Sequence, residues 1–112
     1  MNQVELLDLH KHFTGRMYDI CRAKNSDYAG ATADAFANFT RVETLGIAST
    51  EQGILTRMTD KLCRLASFAK KGELMVKDES AEDTLLDLAN YCLLMASYLR
   101  GKNQLTKEMS GP

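Results

Sequence analysis

The sequence predicts an all-α fold, a compact antiparallel bundle of four to five helices, on three observations. Apolar residues recur at helical spacing in each long segment, the alternation expected of strands is absent, and a single proline among 112 residues leaves long stretches free to be helical. Short connections then fold successive helices back on one another.

Residues 3 to 24 carry Leu6, Leu9, Phe13, Met17 and Ile20 on one stripe, with charges filling the other face. The run KNSDYAG over 24–30 predicts a stop, because Asn, Ser and Asp side chains bond their own backbone. Asp34 is placed to cap a shorter helix over 35–45, and Gly46 to end it. Ser49 with Gln52 has capping-box form and opens a third helix, whose core stripe reads Leu55, Met58, Leu62, Leu65 and Ala69 before Gly72 closes it. A charged connector over 73–79 leads to Ser80, which with Asp83 again has the form of a cap followed by an acidic third position. The last helix runs to about Arg100 and is apolar on most sides from Leu85 onward, which predicts a central, buried helix that also packs on a second subunit. The reading is one helical domain over 1–101 with a polar tail over 102–112.

Composition is globular, with 45% hydrophobic and 26% charged residues, and the length suits one core. A formal charge of −1 exerts no global pull on nucleic acid or an acidic membrane, so an anion site must come from local clustering. The three cysteines, Cys21, Cys63 and Cys92, are far apart and lie in apolar helical patterns, which favours reduced, packed thiols. No signal-like segment and no long apolar span is present, so the expectation is the cytoplasm of a bacterial host cell.

Three segments carry candidate chemistry. On the third long helix Arg57, Lys61, Arg64 and Lys71 fall within an arc of about 80°, with Asp60 at its edge. Such a line of cations suits phosphate oxygens, and it equally suits a solvated face. On the last helix Asp83, Asp87 and Asn90 share a face flanked by Tyr91. Carboxylates that lead into an apolar stretch want a metal ion, a ligand hydroxyl or a neighbouring cation, and a pair such as Asp87 with Arg64 would need no ligand. Between the first two helices, Lys24, Asn25, Asp27 and Tyr28 supply a cation, an amide, a carboxylate and a ring, a set that could stack a base and hold a sugar.

The segments KNSDYAG (24–30), ANF (37–39), RMTDKLCR (57–64) and DESAEDTLLDLANY (78–91) resemble the nucleotide-modification-associated domain family, type one, a phage and prophage group of small helical proteins linked to nucleotide metabolism. The resemblance covers residues 22 to 99. That family is in turn similar to the all-α nucleotide pyrophosphohydrolases, the MazG-like and dimeric dUTPase group, whose acidic residues hold magnesium and which cleave between the α and β phosphates. The resemblance implies Asp60 opposite Glu79, Glu82, Asp83 and Asp87, Lys61 and Arg64 on phosphate, and Asn25, Asp27 and Tyr28 near the base or sugar. The pattern departs from those hydrolases at the third long helix, where Asp60 stands beside cations instead of a second carboxylate.

Cations at these positions neutralise phosphate directly, whereas anchoring Mg²⁺ takes several converging carboxylates. The expectation is therefore a phage-type protein that binds a phosphorylated nucleotide, linear or cyclic, for nucleotide modification or for sequestering a signalling nucleotide. Arg57, Lys61 and Arg64 would contact phosphate; Asp83, Asp87 and Asn90 would orient the cations or a ribose hydroxyl; Tyr28 or Tyr91 would pack on the base. The enzyme alternative is a Mg²⁺-dependent pyrophosphohydrolase with Asp60, Asp83 and Asp87 on the metal, and the third alternative is a helical protein-interaction adaptor. A homo-oligomer is expected, with neither nucleic acid nor membrane as partner.

Overall fold

The computed structural model describes residues 1–28, 35–71, 75–76 and 79–110, with only the backbone path described at 25–28, 75–76, 79 and 104–110. Among them are four helices: α1 (Gln3–Tyr28), α2 (Ala37–Thr44), α3 (Thr50–Lys71) and α4 (Ala81–Ser110). The all-α bundle expected from the periodicity is what forms. No described helix is long and apolar enough to cross a membrane.

The helix boundaries follow local chemistry where a cap is available. Ser49 N–H donates to Gln52 Oε1 at 3.0 Å and Gln52 N–H donates to Ser49 Oγ at 3.1 Å, so the predicted capping box opens α3. At the end of α2, Gly46 takes φ +75, its N–H bonds Glu43 O at 3.0 Å, and Ile47 N–H bonds Val42 O at 2.9 Å. That is the left-handed terminus glycine permits, and it satisfies two carbonyls that the helix end leaves open. At the start of α4, Asp83 N–H donates to Ser80 Oγ at 3.1 Å and Ser80 N–H to Asp83 Oδ2 at 3.4 Å. Asp34, expected to cap α2, lies outside the described residues; the residue at that end, Phe36, makes no side-chain cap.

Four boundaries differ from the sequence reading. α1 continues to Tyr28 instead of ending at Lys24, so the turn preference of Asn25, Ser26 and Asp27 does not prevail here. The connector before α4 contains a two-residue antiparallel ladder, β1 (Met75–Val76) with β2 (Glu79–Ser80), where no strand was expected; reversing the chain between antiparallel helices leaves backbone groups that the ladder pairs. α2 starts at Ala37 rather than residue 35. Finally, α4 does not end near Arg100 but runs unbroken to Ser110, so the expected tail is helical. Lys102 Nζ holds Glu51 Oε2 at 3.0 Å and lies 5.7 Å from the Tyr98 ring centre, which keeps that stretch against the start of α3.

α4 is central, as predicted, packing against α3, α1 and β2, while Phe36 and Phe39 at α2 meet Tyr98 and Tyr91 edge to face. Among the described residues the buried apolar ones are Ile54, Phe68 and Leu86, joined by the buried hydroxyls of Thr50 and Thr84. Thr50 Oγ1 donates to Glu43 Oε2 at 2.7 Å and Thr84 Oγ1 to Ser80 O at 3.4 Å, so neither hydroxyl is stranded. The core stripe of α3 is rotated from the expected one. It runs along Ile54, Lys61, Leu65 and Phe68, while Leu55, Leu62 and Ala69 are exposed. Leu85, Leu93 and Leu99 of α4 are exposed too, so that helix is not apolar-covered all round. On α1, Phe13, Met17 and Ile20 are half-buried, but Leu6 and Leu9 are exposed, as is every residue of the first turns. Cys63 and Cys92 are exposed rather than packed, lying on the uncovered flanks of α3 and α4, and Cys21 is half-buried; none of the three is in a disulfide.

Asp83 is held below the usual carboxylate range, first by its hydrogen bonds with Ser80 and then by Arg16. A depressed folded-state pKa contributes stability that is present above the unfolded value and is lost as pH falls through the folded one. Asp83→Asn therefore lowers stability at neutral pH and flattens the loss seen on acidifying below about pH 4. Ser80→Ala removes the cap and costs about 1 kcal/mol in urea unfolding.

Candidate functional site

A crevice of about 710 Å³ opens where all four helices meet. Its floor is α4, which presents Asp87, Asn90, Tyr91 and Leu94; α1 contributes Cys21 and Lys24, α3 contributes Arg57 and Asp60, and α2 closes it with Asn38 and Phe39. Spacing explains the α4 set, since residues 87, 90, 91 and 94 recur at three and four and so share one face.

Asp87 organises the charges. Its Oδ2 accepts from Lys61 Nζ at 3.1 Å and its Oδ1 from Lys24 Nζ at 3.4 Å. Lys61 and Asp87 keep only 17% and 18% of their side-chain surface exposed, whereas Lys24 keeps 54%, so the α3–α4 pair is largely desolvated and the α1 cation is not. Next to it, Asn90 Nδ2 donates to Met17 O at 3.2 Å, which fixes the amide's orientation and ties α4 to α1. The opposite atom, Asn90 Oδ1, is buried with no hydrogen-bond partner. Arg57 and Asp60 are exposed on the α3 wall, and among the described residues no ion pair engages either.

The apolar side of the crevice depends on close approach of α2 to α3. A Cβ at Gly53 would lie 3.1 Å from Val42 Cγ2 and 3.7 Å from Phe39 Cδ1, so glycine is what lets α2 settle there. Phe39 meets Tyr91 at 6.3 Å between ring centres and 88° between planes, leaving an aromatic corner at the wall.

Of the residues predicted from sequence, the crevice gathers Lys24, Arg57, Asp60, Asp87, Asn90 and Tyr91. Lys61 stands behind its wall, paired with Asp87 instead of reaching into it, because its helix position belongs to the α3–α4 seam. Arg64 does not line the crevice. Asp83 is also outside it: Arg16 of α1 donates to Asp83 Oδ1 at 3.3 Å and to Glu82 Oε2 at 3.0 Å, which makes Asp83 a cap and an interhelical anchor. The predicted Asp87–Arg64 pair is replaced by Asp87 with Lys61 and Lys24. The side chains of Asn25, Asp27 and Tyr28 lie outside the described residues, as does that of Glu79.

Among the described residues, the carboxylates considered from sequence for magnesium are engaged with other partners. Asp83 serves Ser80 and Arg16, Asp87 serves two lysines, and among the described residues no three His, Cys, Asp or Glu side chains are grouped to hold an ion. Sequence reasoning missed Arg16, Asn38, Phe39 and Gly53. The segment ANF was visible as a motif, but only the fold shows that it walls the crevice.

A family model described as nucleotide modification associated domain 1 matches residues 24–97, the stretch that contains all of the crevice except Cys21. Among curated proteins and among solved structures, none matches the chain.

Removing one partner of a desolvated pair strands the other charge, and replacing both with apolar groups does not. Asp87→Ala is expected to cost about 2 kcal/mol in urea unfolding, less than for a fully buried pair because some water reaches it, and the double change Lys61→Met with Asp87→Leu is expected to recover most of that loss.

Proposed function

The chain belongs to the nucleotide modification associated domain 1 family, and on that premise we propose that the crevice between its helices holds a phosphorylated nucleotide. The observation that carries the reading is a cavity of about 710 Å³ lined by Arg57 of α3, Lys24 of α1 and an aromatic corner of Phe39 and Tyr91. Pockets that enclose small organic ligands run from about 300 to 1,000 Å³ and combine apolar walls with a few placed polar groups.

In this reading Arg57 takes the phosphate as a forked donor, since no described carboxylate competes for it. Lys24 is the second cation. Half exposed and 3.4 Å from Asp87, it exchanges a long ion pair for the phosphate while Asp87 retains Lys61. Tyr91 and Phe39 offer the base a surface to pack on. Asn90 Oδ1, an acceptor buried without a partner, is the atom a ligand hydroxyl or amine would satisfy. The phosphate contacts thus move from the set Arg57, Lys61 and Arg64 to Arg57 and Lys24. The pairing of Asp83 with Arg16 and of Asp87 with two lysines supports holding a nucleotide over metal-assisted cleavage.

Isothermal calorimetry against a panel of nucleoside mono-, di- and triphosphates tests this. Arg57→Ala is expected to weaken binding at least ten-fold, on the order of 1.4 kcal/mol or more, with no change in melting temperature because the side chain is exposed. Arg64→Ala, off the crevice, leaves affinity as in the wild type. Absence of binding across the panel, or an Arg57→Ala protein that binds as the parent does, refutes the assignment.

A further inference from the structure

The charge around the crevice is balanced rather than basic. Among the described residues its charged lining is Lys24 and Arg57 against Asp60 and Asp87. Lys61 stands behind the wall on Asp87, and Arg64 does not line the crevice, so among the described residues no third cation does. The two carboxylates differ in state. Asp87 is neutralised by its two lysines, whereas Asp60 is exposed and no ion pair among the described residues engages it. Asp60 follows Arg57 by three residues on α3, a spacing that puts the two side chains on adjoining turns of one face with Cβ atoms roughly 5 to 6 Å apart. An anion held by Arg57 therefore lies beside a second, unneutralised anion.

We infer that the crevice selects a nucleotide carrying a single phosphate group, as a monoester or a diester, and that Asp60 is the residue that turns longer phosphate chains away; this rests on the nucleotide reading given above. A phosphate monoester brings a charge of about −1.5 to −2 at neutral pH, and a diester brings less. Arg57 and Lys24 together match that charge. Each further phosphate adds negative charge for which the described lining holds no further cation, and adds it within reach of Asp60, where like charges repel. An unpaired charge set against the wrong ligand gives selectivity without any added contact to the right one. Toward a single phosphate the same carboxylate is not a hindrance. An ionised carboxylate is an acceptor only, so what it favours beside it is a sugar hydroxyl or a base N–H, the parts of a short nucleotide that lie next to its phosphate.

Calorimetry on the full chain in EDTA reads the preference directly, with adenosine, guanosine, cytidine and thymidine each supplied as mono-, di- and triphosphate and as cyclic monophosphate. For the nucleoside that binds, the monophosphate or its cyclic diester is expected to bind at least ten-fold more tightly than the triphosphate, with the diphosphate between. Asp60→Asn removes the charge and keeps the shape. It is expected to bring the triphosphate to within about three-fold of the monophosphate, with an unchanged melting temperature because the side chain is exposed. Asp8→Asn, an equal change of net charge on the exposed first turns of α1, leaves the wild-type ranking. The inference is overturned by a wild type that binds the triphosphate as tightly as the monophosphate, by a preference that survives Asp60→Asn, or by one that Asp8→Asn also relaxes. It is overturned too if, with Mg²⁺ added, Asp60→Asn binds the triphosphate more weakly than the wild type does, since that assigns the carboxylate to a metal. A chain that binds no member of the series refutes the nucleotide reading and this inference with it, whereas one that binds them without the ranking refutes this inference alone.

Discussion

The pair of opposite charges formed by Lys61 and Asp87 is the constraint around which the rest is arranged. It stands where a bundle would ordinarily put two apolar side chains, and a desolvated ion pair tolerates little displacement of its partners. Lys24 gives Asp87 a second cation from α1, so one carboxylate registers three helices at once. The crevice opens beside that polar junction, with Asp87 in its floor.

The fold was legible because its signals are local. The capping box at Ser49, the left-handed glycine at Gly46 and the cap at Ser80 each depend on residues three or four apart, and each appears where the sequence puts it. The extent of α1 and α4 was not legible. Lys24 on α1 meets a residue 63 positions away, and Lys102 on α4 meets one 51 positions away. Contacts at that separation leave no mark in a short window.

For the candidate site, residue types were easier to identify than their partners. Asp87, Asn90 and Arg57 stood out as polar groups on otherwise apolar or patterned helices, and the crevice gathers them. Lys61 and Arg57 share a stripe on a helical projection, yet one faces α4 and the other the crevice. A rotation of a few tens of degrees decides which cation is a structural partner and which is open to a guest, and that rotation is set by where Ile54 and Phe68 bury, not by the cations themselves. The same rotation turns Leu55 and Leu62 outward.

The approach at Gly53 has a consequence for how the crevice accommodates different guests. α2 is eight residues long, has no side-chain cap at its start and contributes no fully buried residue. Among the described residues its anchors include the missing methyl at Gly53, two aromatic edges and the Glu43 carboxylate on Thr50. A short, uncapped element without a fully buried residue is cheap to displace. Breadth of specificity would then reside in this one short wall, while the floor built on α4 stays the same for every occupant.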